Sequence, residues 1–113
     1  MLLKRENIIM QKMLIEIGDI ENSITGLNHD AFIATVDKKK SVAMSLINLG
    51  ELVRHLPKGF IESHPSIAFR KILDLRNKTA HGYYTLDFSF VWGTVTERIP
   101  ELKRNIEDIL RKL

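Results

Sequence analysis

The stretch VAMSLINLGELVRHL, residues 42–56, decides the fold. Its apolar side chains return every three or four positions, the spacing that places them on one face of an α-helix. Asp37 is positioned to cap this helix, and Pro57 begins the Pro-Lys-Gly sequence that breaks it. We therefore predict a helix over residues 38–56. Its apolar stripe consists of Val42, Leu46, Leu49, Val53 and Leu56.

The same spacing occurs on the N-terminal side of this helix. Residues 4–25 are predicted to form one long amphipathic helix, which Gly26 and Asn28 terminate. Residues 29–35 add one or two helical turns. The apolar positions of the long helix and its end are Met10, Met13, Ile17, Ile20, Ile24 and Leu27.

Two more helices are predicted on the C-terminal side. One runs from Phe69 to about Ala80, with Gly82 as a left-handed C-cap. The other begins after Asp87 and has an apolar stripe that continues across Pro100. Because proline disrupts the preceding turn of a helix, we expect a kink or break at Ile99.

The predicted elements assemble into a single domain covering residues 1–113. No segment alternates apolar and polar residues as a half-buried strand does. Several helices joined by short connections pack most simply as an up-and-down bundle. The predicted fold is therefore an all-α bundle of four to five helices.

Composition excludes several classes of protein. The chain contains no cysteine, which rules out disulfide scaffolds, iron–sulfur clusters and thiol nucleophiles. The net charge of +3 permits a polyanionic partner without requiring one. No stretch reaches the ~20 apolar residues of a membrane span, and the start of the chain lacks the apolar region of a signal peptide. We expect a cytoplasmic protein without membrane contact.

The sequence RNKTAHGYY, residues 76–84, concentrates reactive side chains at the end of a predicted helix. Asn77 and His81 are four residues apart and share a helix face, which the long side chain of Arg76 can also reach. After the turn at Gly82, Tyr83 can fold back over the imidazole. We expect these four side chains to converge on one anionic ligand.

This set of side chains suits RNA cleavage without a metal ion or cofactor. Imidazole titrates near neutral pH, as a general acid or base must. The guanidinium of Arg76 matches phosphate oxygens and can stabilise the extra charge of a pentacoordinate phosphorus. The ribose 2′-hydroxyl would then act as the internal nucleophile. None of the histidines has the spacing of a metal site.

The stretch resembles the R-x-x-x-x-H-x-Y signature of the HEPN superfamily, specifically the HepT-like toxins encoded beside MNT-type nucleotidyltransferase antitoxins. Arg76, His81 and Tyr83 occupy the signature positions. The similarity covers the whole chain, because further family landmarks follow in the same order: Leu49-Gly50-Glu51-Leu52, Leu56-Pro57, His64-Pro65, Val91-Trp92 and Ile99-Pro100-Glu101-Leu102. Gly82, where relatives often have a polar residue, and Ala68-Phe69 depart from the pattern.

The resemblance implies a two-fold homodimer that acts as a metal-independent endoribonuclease toxin. Arg76 would bind the scissile phosphate, His81 would act as acid or base, and Asn77 and Tyr83 would position the substrate. It also implies neutralisation by a partner nucleotidyltransferase that transfers AMP to Tyr83, with the adjacent Tyr84 as the less favoured acceptor. Dimerisation has independent support, because acid–base cleavage in one step needs two imidazoles.

Several other residues have two interpretations. Glu51 either orients Arg76 through a hydrogen bond or is an exposed carboxylate. A run of lysines at a helix start, together with Lys78 in the motif, either contacts RNA or a partner or is simply solvated. Trp92 is expected to pack in the core or a dimer interface. The lysines of the run are Lys38, Lys39 and Lys40, and the histidines expected at the surface are His29, His55 and His64.

Two functions from other classes remain open. The chain could be a non-catalytic, substrate-binding subunit of a nucleotidyltransferase, or a plain dimeric helical scaffold. Cleavage of RNA by the chain alone separates the first of these from the nuclease. If the chain is a scaffold, substitutions of the motif residues should change only the stability of the fold.

Overall fold

The computed structural model describes residues 4–112, and these contain helices but no strand. The predicted all-α bundle is therefore confirmed, while the dimer stays a prediction. Within the described residues, no helix is long and apolar enough to span a membrane. The helices are α1 (Lys4–Ile24), α2 (His29–Ala34), α3 (Val36–Arg54), α4 (Lys58–Glu62), α5 (Phe69–His81), α6 (Phe88–Gly93) and α7 (Ile99–Arg111), with a 3-10 turn at Tyr83–Thr85 and a π-helical segment at Thr94–Arg98.

Helix α3 lies at the centre of the bundle and packs against both α1 and α5. Helix α1 also contacts α7, and α2 fills the space between α3 and α6. The predicted apolar stripes form the core because each amphipathic helix buries its apolar face against its neighbours. Fully buried members include Met10, Met13, Ile17 and Ile20 of α1, Val42, Leu46, Leu49 and Val53 of α3, and Ile99, Leu102 and Ile106 of α7.

The start of α3 differs from the prediction. The helix begins at Val36 instead of residue 38, and Asp37 lies in its first turn instead of capping it. Thr35 ends α2, because its backbone N–H donates a hydrogen bond to the Phe32 carbonyl. The same residue takes the N-cap position of α3. A single extended residue therefore separates the two helices, which no sequence pattern indicated.

Two glycines end helices in different ways. Gly26 has φ 79°, in the left-handed region, and ends α1 as predicted. The prediction for Gly82 is wrong, because its φ of −165° is extended. A Cβ at Gly82 would lie 2.6 Å from Oγ1 of Thr85. The hydroxyl and the backbone N–H of Thr85 both donate hydrogen bonds to the Gly82 carbonyl. Close packing, and not backbone conformation, favours glycine there.

Near Ile99, where we expected a kink or break, the helix changes type without an interruption of the helical residues. A π-helical segment over Thr94–Arg98 precedes α7, and Pro100 lies in the first turn of α7. Proline lacks the N–H that would continue the α-helical ladder, so the backbone changes hydrogen-bond register before it. Both Val95 and Ile99 remain buried across this change.

Candidate active site

Helix α5 holds Arg76, Asn77 and His81, and its position is set by burial of the opposite face. Phe69, Ile72 and Leu75 pack into the core, against which α3 also packs. The hydroxyl of the buried Thr79 is satisfied within the helix, because it donates to the Leu75 carbonyl at 2.7 Å. The reactive residues therefore project from a fixed helix.

Arg76 crosses from α5 to α3 over a glycine. A methyl group on Gly50 would overlap Cβ and Cγ of Arg76, so the stem of the arginine lies directly against the α3 backbone. The Arg76 side chain is 23% exposed. Its Nε is buried without a hydrogen-bond partner among residues 4–112. The close approach thus leaves one donor unsatisfied while it aims the rest of the guanidinium.

Two acceptors hold the guanidinium. Nη2 of Arg76 forms an ion pair with Oε1 of Glu51, and Nη1 donates to Oδ1 of Asn77 at 3.0 Å. Of the two interpretations of Glu51 that the sequence left open, the structure shows the one in which Glu51 contacts Arg76. Asn77, which bonds Arg76, lies on the same face of α5 as His81, and His81 follows it by one helical turn.

The carboxylate of Glu51 has a second partner in Arg54, whose Nη1 donates at 3.0 Å. Partial desolvation acts to raise the pKa of Glu51, but the hydrogen bonds and charges of Arg54 and Arg76 outweigh it. The pKa of Glu51 consequently lies below its usual value of 4.5. Glu51 is thus ionised at neutral pH and available to hold Arg76.

His81 lies at the exposed end of α5 and lines a cavity of about 460 Å³. Lys78 lines the same cavity, and so does Asp87, which caps α6 through its bonds to the amides of Ser89 and Phe90. An exposed imidazole beside a lysine in a concavity is accessible to an anionic substrate.

The two tyrosines differ in accessibility. Tyr83 is half-buried, with its ring 5.3 Å from Phe88 and 5.5 Å from Tyr84, both edge-on. The placement of Tyr83 over His81 stays a prediction, and the ring contacts of Tyr83 within residues 4–112 are with Tyr84 and Phe88. Tyr84 is 94% exposed. Both tyrosines belong to the 3-10 turn that follows Gly82.

The predicted lysines lie on two helices, the run on α3 and Lys78 on α5. Lys38, Lys39 and Lys40 lie near the start of α3. The ammonium of Lys39 sits 5.2 Å from the centre of the Phe88 ring, which also contacts Tyr83. Lys40 is exposed.

The remaining histidines and the tryptophan occupy peripheral or packing positions. His29 bonds Asp30 and Ser89, and His64 stacks on Phe60 with the ring centres 4.5 Å apart. Trp92 packs on Phe32 at 5.3 Å, as a core residue would. No group of three His, Cys, Asp or Glu residues that could hold a metal ion occurs in residues 4–112.

Two residues of this region did not emerge from the sequence as site residues. Gly50 provides the space that Arg76 fills. The sequence signal for this role is a glycine inside a strongly periodic helix, because glycine at such a position lowers helix stability and therefore needs a packing reason. Phe90 is a 59% exposed aromatic ring that lines the His81 cavity. It lies outside the apolar stripe of Val91, Val95 and Ile99, so helical spacing did not single it out, and only the structure shows that it lines this cavity.

Comparison with known proteins gives consistent matches. A family model described as Ribonuclease HepT-like matches residues 13–109. A candidate RNase of Methanocaldococcus jannaschii is 33% identical over 101 residues, which cover 89% of this chain and 87% of the relative. A second, from Caldanaerobacter subterraneus subsp. tengcongensis, is 28% identical over 103 residues, covering 91% and 92% respectively. No solved structure matches.

Proposed function

The chain belongs to the HepT-like ribonuclease family of the HEPN superfamily, and on that premise we propose that it cleaves RNA without a metal ion. The observation that supports this most directly is the anchored guanidinium of Arg76. Glu51 and Asn77 hold it in place, and the exposed imidazole of His81 follows on the same helix. A fixed cation and a titratable ring are the groups that phosphodiester cleavage by the 2′-hydroxyl requires.

The proposed reaction needs no group outside RNA and protein. A base removes the proton of the ribose 2′-hydroxyl, and that oxygen attacks the adjacent phosphorus. The bond from phosphorus to the 5′-oxygen breaks, and an acid protonates the leaving oxygen. The products are a 2′,3′-cyclic phosphate and a 5′-hydroxyl. Arg76 stabilises the extra negative charge, His81 serves as acid or base, and Asn77 and Tyr83 position the substrate.

We propose that two copies of the chain form the active enzyme. Each chain contributes one His81, whereas simultaneous removal and donation of a proton uses two titratable groups. A two-fold axis places the motifs of both copies at one cleft and supplies the second imidazole.

The regulatory part of the proposal is a toxin–antitoxin pair. A partner nucleotidyltransferase would transfer AMP from ATP to Tyr83, whose hydroxyl oxygen attacks the α-phosphorus as pyrophosphate leaves. The added negative charge would repel RNA phosphate. Motif register favours Tyr83, while Tyr84 has the more exposed ring. Lys39, close to Phe88 beside Tyr83, is positioned to contact a phosphate there.

The test of cleavage uses end-labelled RNA and purified protein in EDTA. We expect wild type to release products ending in a 2′,3′-cyclic phosphate, and His81→Ala to lose this activity while its circular dichroism stays unchanged. The matched control is His55→Ala, which removes an exposed histidine distant in sequence from the motif. No cleavage by folded, unmodified wild type would instead favour a binding subunit of a nucleotidyltransferase.

The test of regulation is mass spectrometry after incubation with ATP and a purified MNT-type nucleotidyltransferase. We expect AMP on wild type and on Tyr84→Phe, and none on Tyr83→Phe. Modification that is lost only in Tyr84→Phe would move the acceptor to the exposed ring. Absence of AMP from all three proteins would contradict this part of the proposal without affecting the nuclease.

A further inference from the structure

A second cavity, about 540 Å³, adjoins the one that contains His81. It lies between α5 and the segment formed by α6 and the π-helical turn. Leu75, Lys78 and Phe90 line both cavities, so the two form one groove that leads away from the imidazole. We call this second cavity the α5–α6 groove. Its volume is within the range of small-ligand sites, about 300–1,000 Å³.

Phe90 lies at the junction of the two cavities and contributes little to the core. Its ring is 59% exposed, whereas the next residue, Val91, is fully buried. Phe88 on the same short helix packs against Phe32 and Tyr83. An aromatic ring left open beside apolar groove walls is a surface on which a flat ligand can stack.

The charges of the α5–α6 groove are mixed. Lys71, Lys78 and Arg98 line it together with two carboxylates, Asp74 and Glu97. None of the five forms an ion pair within residues 4–112, so their donors and acceptors are free to bind a ligand. Lysine and arginine contact phosphates, and carboxylates accept hydrogen bonds from the amino groups of base edges.

These features, taken with the proposed ribonuclease activity on which this inference rests, identify a candidate base-binding subsite. We propose that the α5–α6 groove holds an unstacked base of single-stranded RNA next to the nucleotide cleaved at His81. Phe90 stacks on that base, Lys78 contacts the phosphate between the two cavities, and Asp74 and Glu97 face the base edge. Recognition of splayed bases on aromatic rings is typical of single-stranded RNA binding.

A second copy of the chain is the competing occupant, since exposed apolar rings also form dimer interfaces. Covering the groove with protein would bury five charged side chains that form no ion pair within residues 4–112, and unpaired buried charges are strongly unfavourable. In an RNA complex the lysine and arginine side chains of the groove would pair with phosphates, and the carboxylates would accept hydrogen bonds from the amino groups of bases. The charges therefore favour RNA.

The experiment measures RNA binding in a background that does not cleave. His81→Ala protein is titrated into a fluorescein-labelled, short single-stranded RNA of mixed sequence, in EDTA, and anisotropy is followed. Phe90→Ala, Phe90→Leu and Phe90→Trp are added to this background. Leucine keeps an apolar side chain but removes the ring. Met44→Ala is the matched control, because Met44 is 57% exposed on α3 and outside the groove.

Stacking predicts that Phe90→Ala and Phe90→Leu weaken binding alike, by about 5- to 100-fold, while Phe90→Trp and Met44→Ala bind as the parent does. The salt dependence provides a second measurement. Lys78→Ala should reduce the slope of log affinity against log salt by about 1, whereas Phe90→Ala should leave the slope unchanged.

Parent-like binding by Phe90→Leu would overturn the subsite, because it would show that an apolar contact suffices. A change in oligomeric state on Phe90→Ala with unchanged RNA affinity would identify the groove as a protein interface and also overturn it. Cleavage by wild type is measured separately, so failure of the subsite and failure of the nuclease are distinguished.

Discussion

Gly50 and Arg76 share one small space where α3 meets α5. The aliphatic stem of Arg76 occupies the position that a side chain on Gly50 would need. The next residue of α3, Glu51, forms an ion pair with the guanidinium of the same arginine. One turn of α3 therefore provides both the space for Arg76 and the charge that orients it.

Gly50→Ala should displace Arg76 and reduce cleavage. The added methyl group overlaps side-chain atoms in a packed helix contact, and overpacking of this kind lowers the free energy of unfolding by about 1–3 kcal/mol. A displaced guanidinium should lower cleavage by up to about 100-fold, since catalytic groups tolerate little misplacement. Urea unfolding and single-turnover cleavage measure the two effects.

The control for that change is Gly18→Ala in α1. A Cβ at Gly18 meets no atom within 4 Å, so alanine should raise the free energy of unfolding by about 0.5–1 kcal/mol through helix propensity. Cleavage should not change. If Gly50→Ala behaved like Gly18→Ala, the proposed role of the close approach would be wrong.

Glu51→Gln should change the pH dependence of stability. The folded protein holds the pKa of Glu51 below the usual value of 4.5, so its ionised form stabilises the fold above that pH. The contribution disappears as the pH falls through the lowered pKa. Urea unfolding from pH 7 to pH 3 should show wild type losing more stability than Glu51→Gln below about pH 4.5. A constant difference between the proteins over this range would contradict the assignment.

Arg76→Lys should impair cleavage although it keeps the charge. Lysine cannot bond Glu51 and Asn77 through a planar fork while it also presents donors to phosphate. We expect cleavage to fall by about 100- to 1,000-fold, the loss typical of one electrostatic stabiliser. Arg54→Lys is the matched control, because Arg54 also bonds Glu51 but is 55% exposed. Equal losses in both variants would argue against a specific role for Arg76.

Gly82→Ala should be destabilising, and a second change should relieve it. The new Cβ would lie 2.6 Å from Oγ1 of Thr85, whereas the extended backbone of Gly82 accepts any residue. A double-mutant cycle with Thr85→Ala should give a coupling energy of about 0.5–3 kcal/mol in unfolding experiments. No coupling would indicate that the backbone conformation of Gly82, and not the threonine, selects glycine.

Periodicity predicted most of the fold because each helix of this bundle buries one face. The apolar stripes of α1, α3 and α7 lie in the core at the expected positions. Apolar residues that recur every three and four positions lie on one face of an α-helix, and that face is buried. The starts of helices were less predictable. Thr35 separates α2 from α3 by a single residue, and its backbone is set by both helices and not by its own preference.

The motif residues were recognisable, but their arrangement was not. Spacing along α5 correctly placed Asn77 one turn before His81. It did not show the ring contacts of Tyr83 with Phe88 and Tyr84, which depend on the 3-10 turn and on the packing of α6. Phe90 lies outside the apolar stripe of its helix, and only the packing of α6 shows that it is exposed beside the His81 cavity.

The sequence by itself determined the helices, their buried faces and the resemblance that identifies the family, because these depend on local spacing and residue type. Tertiary structure alone decided which residues of different helices meet. Three features arise between helices: the space at Gly50, the ion pair between Glu51 and Arg76, and the groove that joins Phe90 to His81. Such contacts depend on the distance and angle at which helices pack, which the complete core sets and no single segment encodes.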